Sequence, residues 1–162
     1  MAVEYLLAQN PKFKAQVVNI NRLKFQPCNA CDKCKDNFKC VINDDASGLI
    51  SKVEAADVVV VASPIYFTGV PGTLKNFIDR NQAQWYKKTG SMKKKKGIII
   101  LTEGTAKDKY FRPAESEIRA FFAVNNIKTT VVLKFKNMDE KGKILEDKKA
   151  LSRIKRAAKL LV

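Results

Sequence analysis

The fold is decided by the stretch Asp57-Val58-Val59-Val60-Val61-Ala62, a continuous run of apolar and mostly β-branched residues. Such runs are typical of a strand that is buried on both faces of a parallel sheet. Two more runs of this kind follow, Gly97-Ile98-Ile99-Ile100-Leu101-Thr102 and Thr129-Thr130-Val131-Val132-Leu133. We therefore predict three strands of one sheet, of which the first two are buried.

Helical patterns separate these strands. Residues 2–9 resemble the end of a helix that Asn10-Pro11 closes, because proline cannot continue a helix. Gln16-Val17-Val18-Asn19-Ile20 is less apolar and predicts a fourth strand at a sheet edge. Further helices are predicted around Leu49, Ile50 and Val53 after an aspartate cap, along Leu74, Phe77, Ile78 and Trp85, at about 113–125, and at about 146–161.

The alternation of strands and helices predicts an α/β fold, a doubly wound parallel sheet that is covered on both faces. The length of 162 residues and the 46% hydrophobic content suit one domain with its own core. The sequence shows no internal repeat or flexible linker. We expect a single domain over residues 1–162, with the cysteine-rich loop at 28–40.

Composition excludes several classes of function. No apolar run approaches the roughly 20 residues that span a bilayer, so a membrane protein is not expected. The sequence has no histidine, which removes the usual base of nucleophilic hydrolases, and we predict no catalytic acid, base or nucleophile. The chain shows no cleavable apolar leader, so we expect a cytoplasmic protein with reduced thiols.

The net charge of +15 makes an acidic partner or nucleic acid worth considering. Lys93-Lys94-Lys95-Lys96 is the densest basic run, but basic residues are scattered over every segment. A solvated lysine-rich surface explains the same composition. The sequence lacks the basic helix or aromatic platform of a known nucleic-acid module, so nucleic acid is not the expected partner.

All four cysteines fall within residues 28–40, with the spacing Cys-x2-Cys-x2-Cys-x5-Cys. Disulfides across two or three residues would constrain little of the unfolded chain. Zinc ligands usually come as two pairs with a longer spacer, whereas three closely spaced cysteines can surround one face of a cubane cluster. The candidate ligands of one [4Fe-4S] cluster are Cys28, Cys31, Cys34 and Cys40. Zinc, or reduced thiols without metal, remain alternatives.

In parallel sheets of this kind, ligands bind beyond the carboxyl ends of the strands. The cysteine loop, residues 63–72 and residues 102–106 leave those ends. The middle loop contains Tyr66 and Phe67 beside glycines and prolines that expose backbone amides, which would suit a planar and partly polar ring system. Ordinary packing of these two aromatic residues is the alternative.

The combination of three stretches is more specific than any one of them. The stretches are Pro27 to Asp45, Ala56-Asp57-Val58-Val59-Val60-Val61-Ala62-Ser63-Pro64-Ile65-Tyr66-Phe67, and Pro71-Gly72-Thr73-Leu74-Lys75-Asn76-Phe77-Ile78-Asp79-Arg80. Together they resemble the iron-sulfur flavoprotein branch of the flavodoxin-like NADPH-dependent FMN reductase superfamily. The likeness extends over nearly the whole chain and is most specific in its middle third.

This resemblance implies an electron-transfer oxidoreductase with FMN and a [4Fe-4S] cluster, which connects a one-electron carrier such as ferredoxin to a two-electron acceptor. The four cysteines match the family's cluster ligands. A dimer or tetramer is implied, and NAD(P)H is a possible substrate. The positions that match the family's flavin loops are Ser63, Pro64, Ile65, Tyr66, Phe67, Gly69, Thr102 and Gly104.

The chain departs from the family at its start. Family members begin with a strand and a loop that holds the FMN phosphate, whereas Met1 falls within the helix that should follow. The missing strand would lie between Gln16–Ile20 and Asp57–Ala62 in the order 2-1-3-4-5. Four strands would remain.

The outer strand could move inward, the true product could extend upstream, or a neighbouring subunit could fill the gap. We favour the upstream extension and expect weak FMN binding by the 162-residue chain.

Two rival functions follow from the same residues. The first is an NAD(P)H-dependent FMN or quinone reductase without a cluster. The second is a polyanion-binding remnant that has lost its redox function. Iron and sulfide analysis separates the first rival from the cluster protein, and salt-sensitive binding to nucleic acid without a chromophore would favour the second.

Overall fold

The structure is a computed structural model that describes residues 2–9, 11, 13–87 and 89–161. Seven α-helices and three β-strands are assigned within these ranges, and short 3-10 turns lie between several of them. In chain order the elements are α1 Ala2–Ala8, α2 Cys34–Asn37, α3 Asp45–Ala55, β1 Val58–Pro64, α4 Gly72–Asp79, α5 Gln82–Tyr86, β2 Lys95–Thr102, α6 Phe111–Val124, β3 Ile127–Phe135 and α7 Lys148–Lys159.

The three strands form one parallel sheet in the order β1-β2-β3. Val58 pairs with Lys96 at one end of the β1–β2 ladder and Pro64 with Thr102 at the other. A register irregularity at Gly97/Ile98 interrupts the β2–β3 ladder. The predicted α/β class with a parallel sheet is confirmed, and the three apolar runs form its strands.

Helices cover both faces of the sheet, because alternate residues of a strand point to opposite faces. Ile99 and Leu101 of β2 pack in a core with α3, α4 and α6. Ile98 and Ile100 of the same strand pack in a second core with α1 and α7. No helix within the described ranges is both long and apolar enough to cross a bilayer.

The predicted fourth strand, Gln16–Ile20, is wrong. Residues 14–19 have no regular secondary structure, and Ile20–Arg22 forms a 3-10 turn in which the amide of Asn21 donates to the side chain of Asn19. Ile20 and Phe25 pack against the α3/α4/α6 core. The amide of Asp45, at the start of α3, donates to the carbonyl of Lys24 at 3.4 Å. The sheet therefore has three strands where four were expected.

Strand β1 forms an edge of this sheet. Val58, Val59, Val60 and Val61 are only partly buried, although their sequence predicts burial on both faces. Their side chains do contact the cores on both faces. The incomplete burial arises because, among the described residues, only β2 pairs with β1.

The helix predicted to follow Pro71 is divided in two. α4 ends at Asp79, and a turn at Arg80 and Asn81 leads into α5. Leu74 and Phe77 lie in the core as expected, but Trp85 on α5 is 68% exposed. The prediction of Trp85 on the apolar side of one long helix is therefore wrong, because the break changes the direction of the chain. The helix end predicted at Asn10 lies outside the described residues.

Candidate functional site

The loops that follow β1, β2 and β3 meet at the carboxyl edge of the sheet. Beyond β1, the amide of Ile65 donates to the carbonyl of Thr102 at 2.9 Å. Beyond β2, the amide of Glu103 donates to the carbonyl of Phe135 at 3.0 Å. The first bond joins the two loops in which the resemblance places the flavin ring, and the second joins the loop after β2 to the end of β3.

Residues 66–69 form a tight turn at this edge. The backbones of Tyr66 and Gly69 exchange two hydrogen bonds of 3.0 Å, and the central residues Phe67 and Thr68 have φ values of 46° and 70°. Two positive φ angles in succession define a type I′ turn, which glycine and asparagine usually occupy. The turn holds Tyr66 and Phe67 outward, 61% and 104% exposed. Packing in the core, the alternative reading of these aromatics, is therefore excluded.

The other residues matched to the flavin loops differ in burial, since Ile65 and Thr102 are partly buried whereas Pro64 and Gly104 are exposed. Ser63 is buried, and its hydroxyl donates to the carbonyl of Pro64 at 2.7 Å. A Cβ at Gly69 would lie 3.2 Å from a carboxylate oxygen of Glu117, and one at Gly104 would lie 2.8 Å from Asp139. Glycine at both positions lets acidic side chains approach the loop backbone.

Glu103 is a residue of this edge that the sequence reasoning did not single out. Only 5% of Glu103 is exposed, and neither carboxylate oxygen has a hydrogen-bond partner within the described part of the chain. Burial and the negative charge of Asp108 raise the Glu103 pKa, while Thr105 and Lys136 act in the opposite direction. A charged residue directly after an apolar strand was the available signal.

The four cysteines lie around a single cavity. Its wall also includes Arg80, Gln82 and Ala83 from the α4–α5 junction. Cys28 and Cys31 are exposed, whereas Cys34 and Cys40 are partly buried. Burial raises the pKa of the Cys34 thiol, and the charges of the other three cysteines add to that effect. The structure therefore brings together all four predicted ligands.

The backbone of the cysteine loop is unusual. Ala30, Asp32 and Phe38 have φ between 54° and 59°, in the left-handed region that few non-glycine residues adopt. Ala30 and Asp32 flank Cys31, so the chain reverses its curvature on both sides of that residue. Residues 28–32 of this loop line the cavity together with Cys34 and Cys40.

The donor set, four thiols on one cavity, is of the kind that holds an iron-sulfur cluster. Among the described residues, no group of three or more cysteines, carboxylates or histidines converges on a point that a single ion could occupy. A zinc ion needs all of its sulfur ligands about 2.3 Å from one centre. A cubane instead has four iron atoms, each bound by a different thiolate, so its ligands can lie further apart.

Arg80 is the second residue that the sequence reasoning missed. Its side chain is fully buried and forms two hydrogen bonds to the Asp44 carboxylate, at 2.7 and 3.0 Å. Burial alone would raise the Asp44 pKa, but hydrogen bonds from Arg80 and the Gln26 amide hold that pKa below its ordinary value. No local sequence pattern signals this partner, because Asp44 and Arg80 are 36 residues apart.

The lysine run at residues 93–96 is less accessible to a binding partner than the sequence indicates. Lys95 is buried, and its ammonium donates to the carbonyl of Asn125 at 2.8 Å. Lys93 pairs with Asp57 at 2.7 Å. Lys96 reaches the carbonyl of Leu161 at 3.3 Å. Lys95 therefore cannot belong to a docking surface.

Comparison with known proteins places the chain among flavin proteins. Residues 1–140 match the family model described as NADPH-dependent FMN reductase. An iron-sulfur flavoprotein of Methanosarcina thermophila is 33% identical over 99 residues, which are 61% of this chain and 51% of that protein. An FMN-dependent NADH:quinone oxidoreductase of Shewanella frigidimarina is 30% identical over 92 residues, or 50% of this chain and 47% of that protein. The chain thus spans about half the length of these curated relatives.

Solved structures show the same fold. An azoreductase from Bacillus anthracis superposes with a TM-score of 0.69 at 12% identity, and the match covers 97% of this chain and 88% of the other. At this level of identity the likeness concerns the fold alone. It confirms the doubly wound α/β class that the sequence predicts.

Proposed function

The chain belongs to the NADPH-dependent FMN reductase family, and from this premise we propose that it is an electron-transfer oxidoreductase of iron-sulfur flavoprotein type. It would connect a one-electron carrier, such as ferredoxin, to a two-electron acceptor by means of a [4Fe-4S] cluster and FMN. Similarity to iron-sulfur flavoproteins supports this branch of the family.

The observation that carries the proposal is the cavity shared by Cys28, Cys31, Cys34 and Cys40. These four thiols form an all-sulfur donor set. The described residues hold no other cysteine, and the sequence has no histidine. Thiolates of this number hold one [4Fe-4S] cluster. A cytoplasmic location is part of this proposal, because a reducing compartment keeps such thiols available as ligands.

The cofactors would supply the redox chemistry, since FMN exchanges electrons singly or in pairs and a cluster exchanges one at a time. The protein residues position and shield them. Tyr66 and Phe67 would offer a flat apolar wall to the flavin ring, and the amide of Gly104 would hydrogen-bond its polar edge. The amides of Gly69 and Val70 already donate to Tyr66 and Glu117. Ser63, Pro64, Ile65 and Thr102 form the strand ends beneath.

An acidic electron carrier suits the charge of the chain. With a net charge of +15, the protein attracts acidic partners and speeds their encounter at low ionic strength. Lys33, Lys35 and Lys39 are exposed within the cysteine loop itself and would face such a partner. Assembly into a dimer or tetramer is part of the proposal.

Anaerobic reconstitution with iron and sulfide tests the proposal. We expect close to four iron and four sulfide per chain, with a broad absorption band that dithionite bleaches. Cys34→Ser should lose most of the iron, whereas Lys39→Gln, a change at an exposed neighbour of Cys40, should retain it. A wild-type chain that stays colourless and binds no iron without oxygen would refute the cluster.

A reductase without a cluster is the second candidate. The similarity to a quinone oxidoreductase favours it. In that case the protein would bind FMN, contain no iron, and oxidise NADH or NADPH with a quinone as acceptor. Metal analysis and NAD(P)H oxidation on the same sample distinguish the two functions.

A further inference from the structure

Arg80 joins α4 to both ends of the cysteine loop. One guanidinium nitrogen donates to the carbonyl of Gln26, two residues before Cys28, at 2.7 Å. The other donates to the carbonyl of Ile42, two residues after Cys40, at 2.9 Å. The same two nitrogens also bind the Asp44 carboxylate. A single side chain therefore fixes the distance between the two ends of the loop.

Asp44 strengthens this attachment. Besides binding Arg80, it accepts from the amide of Gln26 at 3.0 Å and caps α3 through the amide of Ala46 at 3.1 Å. The ion pair is nearly removed from water, since the Arg80 side chain is 0% and the Asp44 side chain 14% exposed. A paired charge of this kind is costly to break, because the remaining partner stays buried without compensation.

The guanidinium also forms part of the cysteine cavity. Arg80 lines it together with Cys40, and its Nε–H has no acceptor among the residues that the structure describes. The arginine guanidinium is not deprotonated in proteins. A permanent positive charge therefore lies beside one of the four sulfur atoms.

We infer that Arg80 is the positioning residue of the cysteine loop: it fixes the loop ends and places a positive charge beside Cys40. The second half of this inference rests on the proposed [4Fe-4S] cluster. Reduction adds one electron, and so one negative charge, to the site. A cation held beside Cys40 therefore favours the reduced form and raises the reduction potential.

The first experiment uses the protein without metal and does not depend on the cluster. Arg80→Gln combined with Asp44→Asn removes both buried charges together, so that neither is left unpaired. We expect amide hydrogen exchange in residues 27–42 to become at least tenfold faster, with little change in the β2 amides. The control is Lys75→Gln with Asp79→Asn, which removes an exposed ion pair of 2.7 Å from the same helix and should leave the loop unchanged.

The second experiment uses reconstituted protein. The double variant should shift the equilibrium constant for one-electron reduction at least tenfold toward the oxidised form, which corresponds to 59 mV for a one-electron couple. Arg80→Lys retains the charge but not the two-pronged contacts, so its potential should stay close to that of the wild type while its loop exchanges faster.

The outcomes separate the parts of the inference. Unchanged exchange in residues 27–42 of the double variant would show that Arg80 does not hold the loop. An unchanged potential in a fully loaded double variant would show that its charge does not act on the cluster. If the wild type binds no cluster, the proposed function fails, and the hydrogen-exchange result still decides the first half.

Discussion

Gly97 of β2 lies directly against the ring of Phe122 on α6. A Cβ at residue 97 would overlap the Cε2 atom of Phe122 and would lie 2.6 Å from a methyl carbon of Ile127. Both neighbours are buried, at 1% and 5% exposure, and have no room to move away. Close packing of α6 on the sheet therefore requires glycine here.

Gly97→Ala should destabilise the fold by about 1–3 kcal/mol, the usual cost of forcing atoms into a packed core. Chemical denaturation followed by circular dichroism measures this change. Gly48→Ala is the matched control, because Gly48 lies within α3 and nothing approaches its Cβ position within 4 Å. There the gain in helix propensity should stabilise the protein by roughly 0.5–1 kcal/mol. Equal effects of the two substitutions would contradict the packing argument.

The buried Glu103 carboxyl should make stability depend on pH. Its pKa is raised above the ordinary value of 4.5, mainly by burial, so the folded chain keeps a proton that the unfolded chain releases. This contribution is fully present below pH 4.5 and is lost as the pH rises toward the raised pKa. The slope from one group is at most about 1.4 kcal/mol per pH unit.

Glu103→Gln cannot ionise and should remove that part of the pH dependence. Denaturation curves of both proteins across pH 4–8 provide the comparison. Glu146→Gln, at an exposed position, is the control and should leave the profile unchanged. Parallel profiles for wild type and Glu103→Gln would mean that the carboxyl ionises equally in the folded and unfolded chains.

Thr68→Gly should stabilise the turn at the sheet edge. Thr68 is β-branched and has a φ of 70°, a conformation that costs such residues about 1–3 kcal/mol. Glycine adopts it without strain but loses more entropy on folding, roughly 0.5–1 kcal/mol. We expect a net gain of about 1 kcal/mol in the free energy of unfolding. Thr73→Gly, in the helical backbone of α4, should instead destabilise the protein.

Phe67→Ala should weaken FMN binding without affecting stability. The Phe67 side chain is fully exposed, so its removal costs no core contacts. An aromatic wall contributes about 0.5–1.5 kcal/mol to stacking on a ring, which corresponds to roughly two- to tenfold in affinity. Titration monitored by quenching of FMN fluorescence gives the dissociation constants. Trp85→Ala, also exposed but on α5, should leave the FMN affinity unchanged.

Local patterns in the sequence predicted most of the fold. The β-branched runs became β1, β2 and β3 because their burial requires a parallel sheet between helices. The aspartate cap of α3 was also predicted, and Asp44 accepts from the Ala46 amide. Residues 16–20 were assigned to a strand by composition, but packing of Ile20 and Phe25 on the α3/α4/α6 core overrides that local preference.

The candidate site was predicted where chemistry is local. The four cysteines lie close together in sequence, and the structure arranges them around one cavity. Arg80 could not be recognised in this way, since its partners lie far along the chain. Glu103 was missed although a charge directly after an apolar run was visible, because its significance comes from its burial. Trp85 was misplaced for a related reason, because the break between α4 and α5 has no strong sequence signal.

The two faces of the sheet differ in what they present to solvent. α7 covers one face and carries six basic and no acidic residues, whereas the cysteine loop is attached to α4, which covers the other face. The outer side of α7 will thus be the first to adsorb on a negatively charged electrode or resin. Protein immobilised in this way would keep its sulfur-lined side toward the solution, where a soluble redox mediator can reach it.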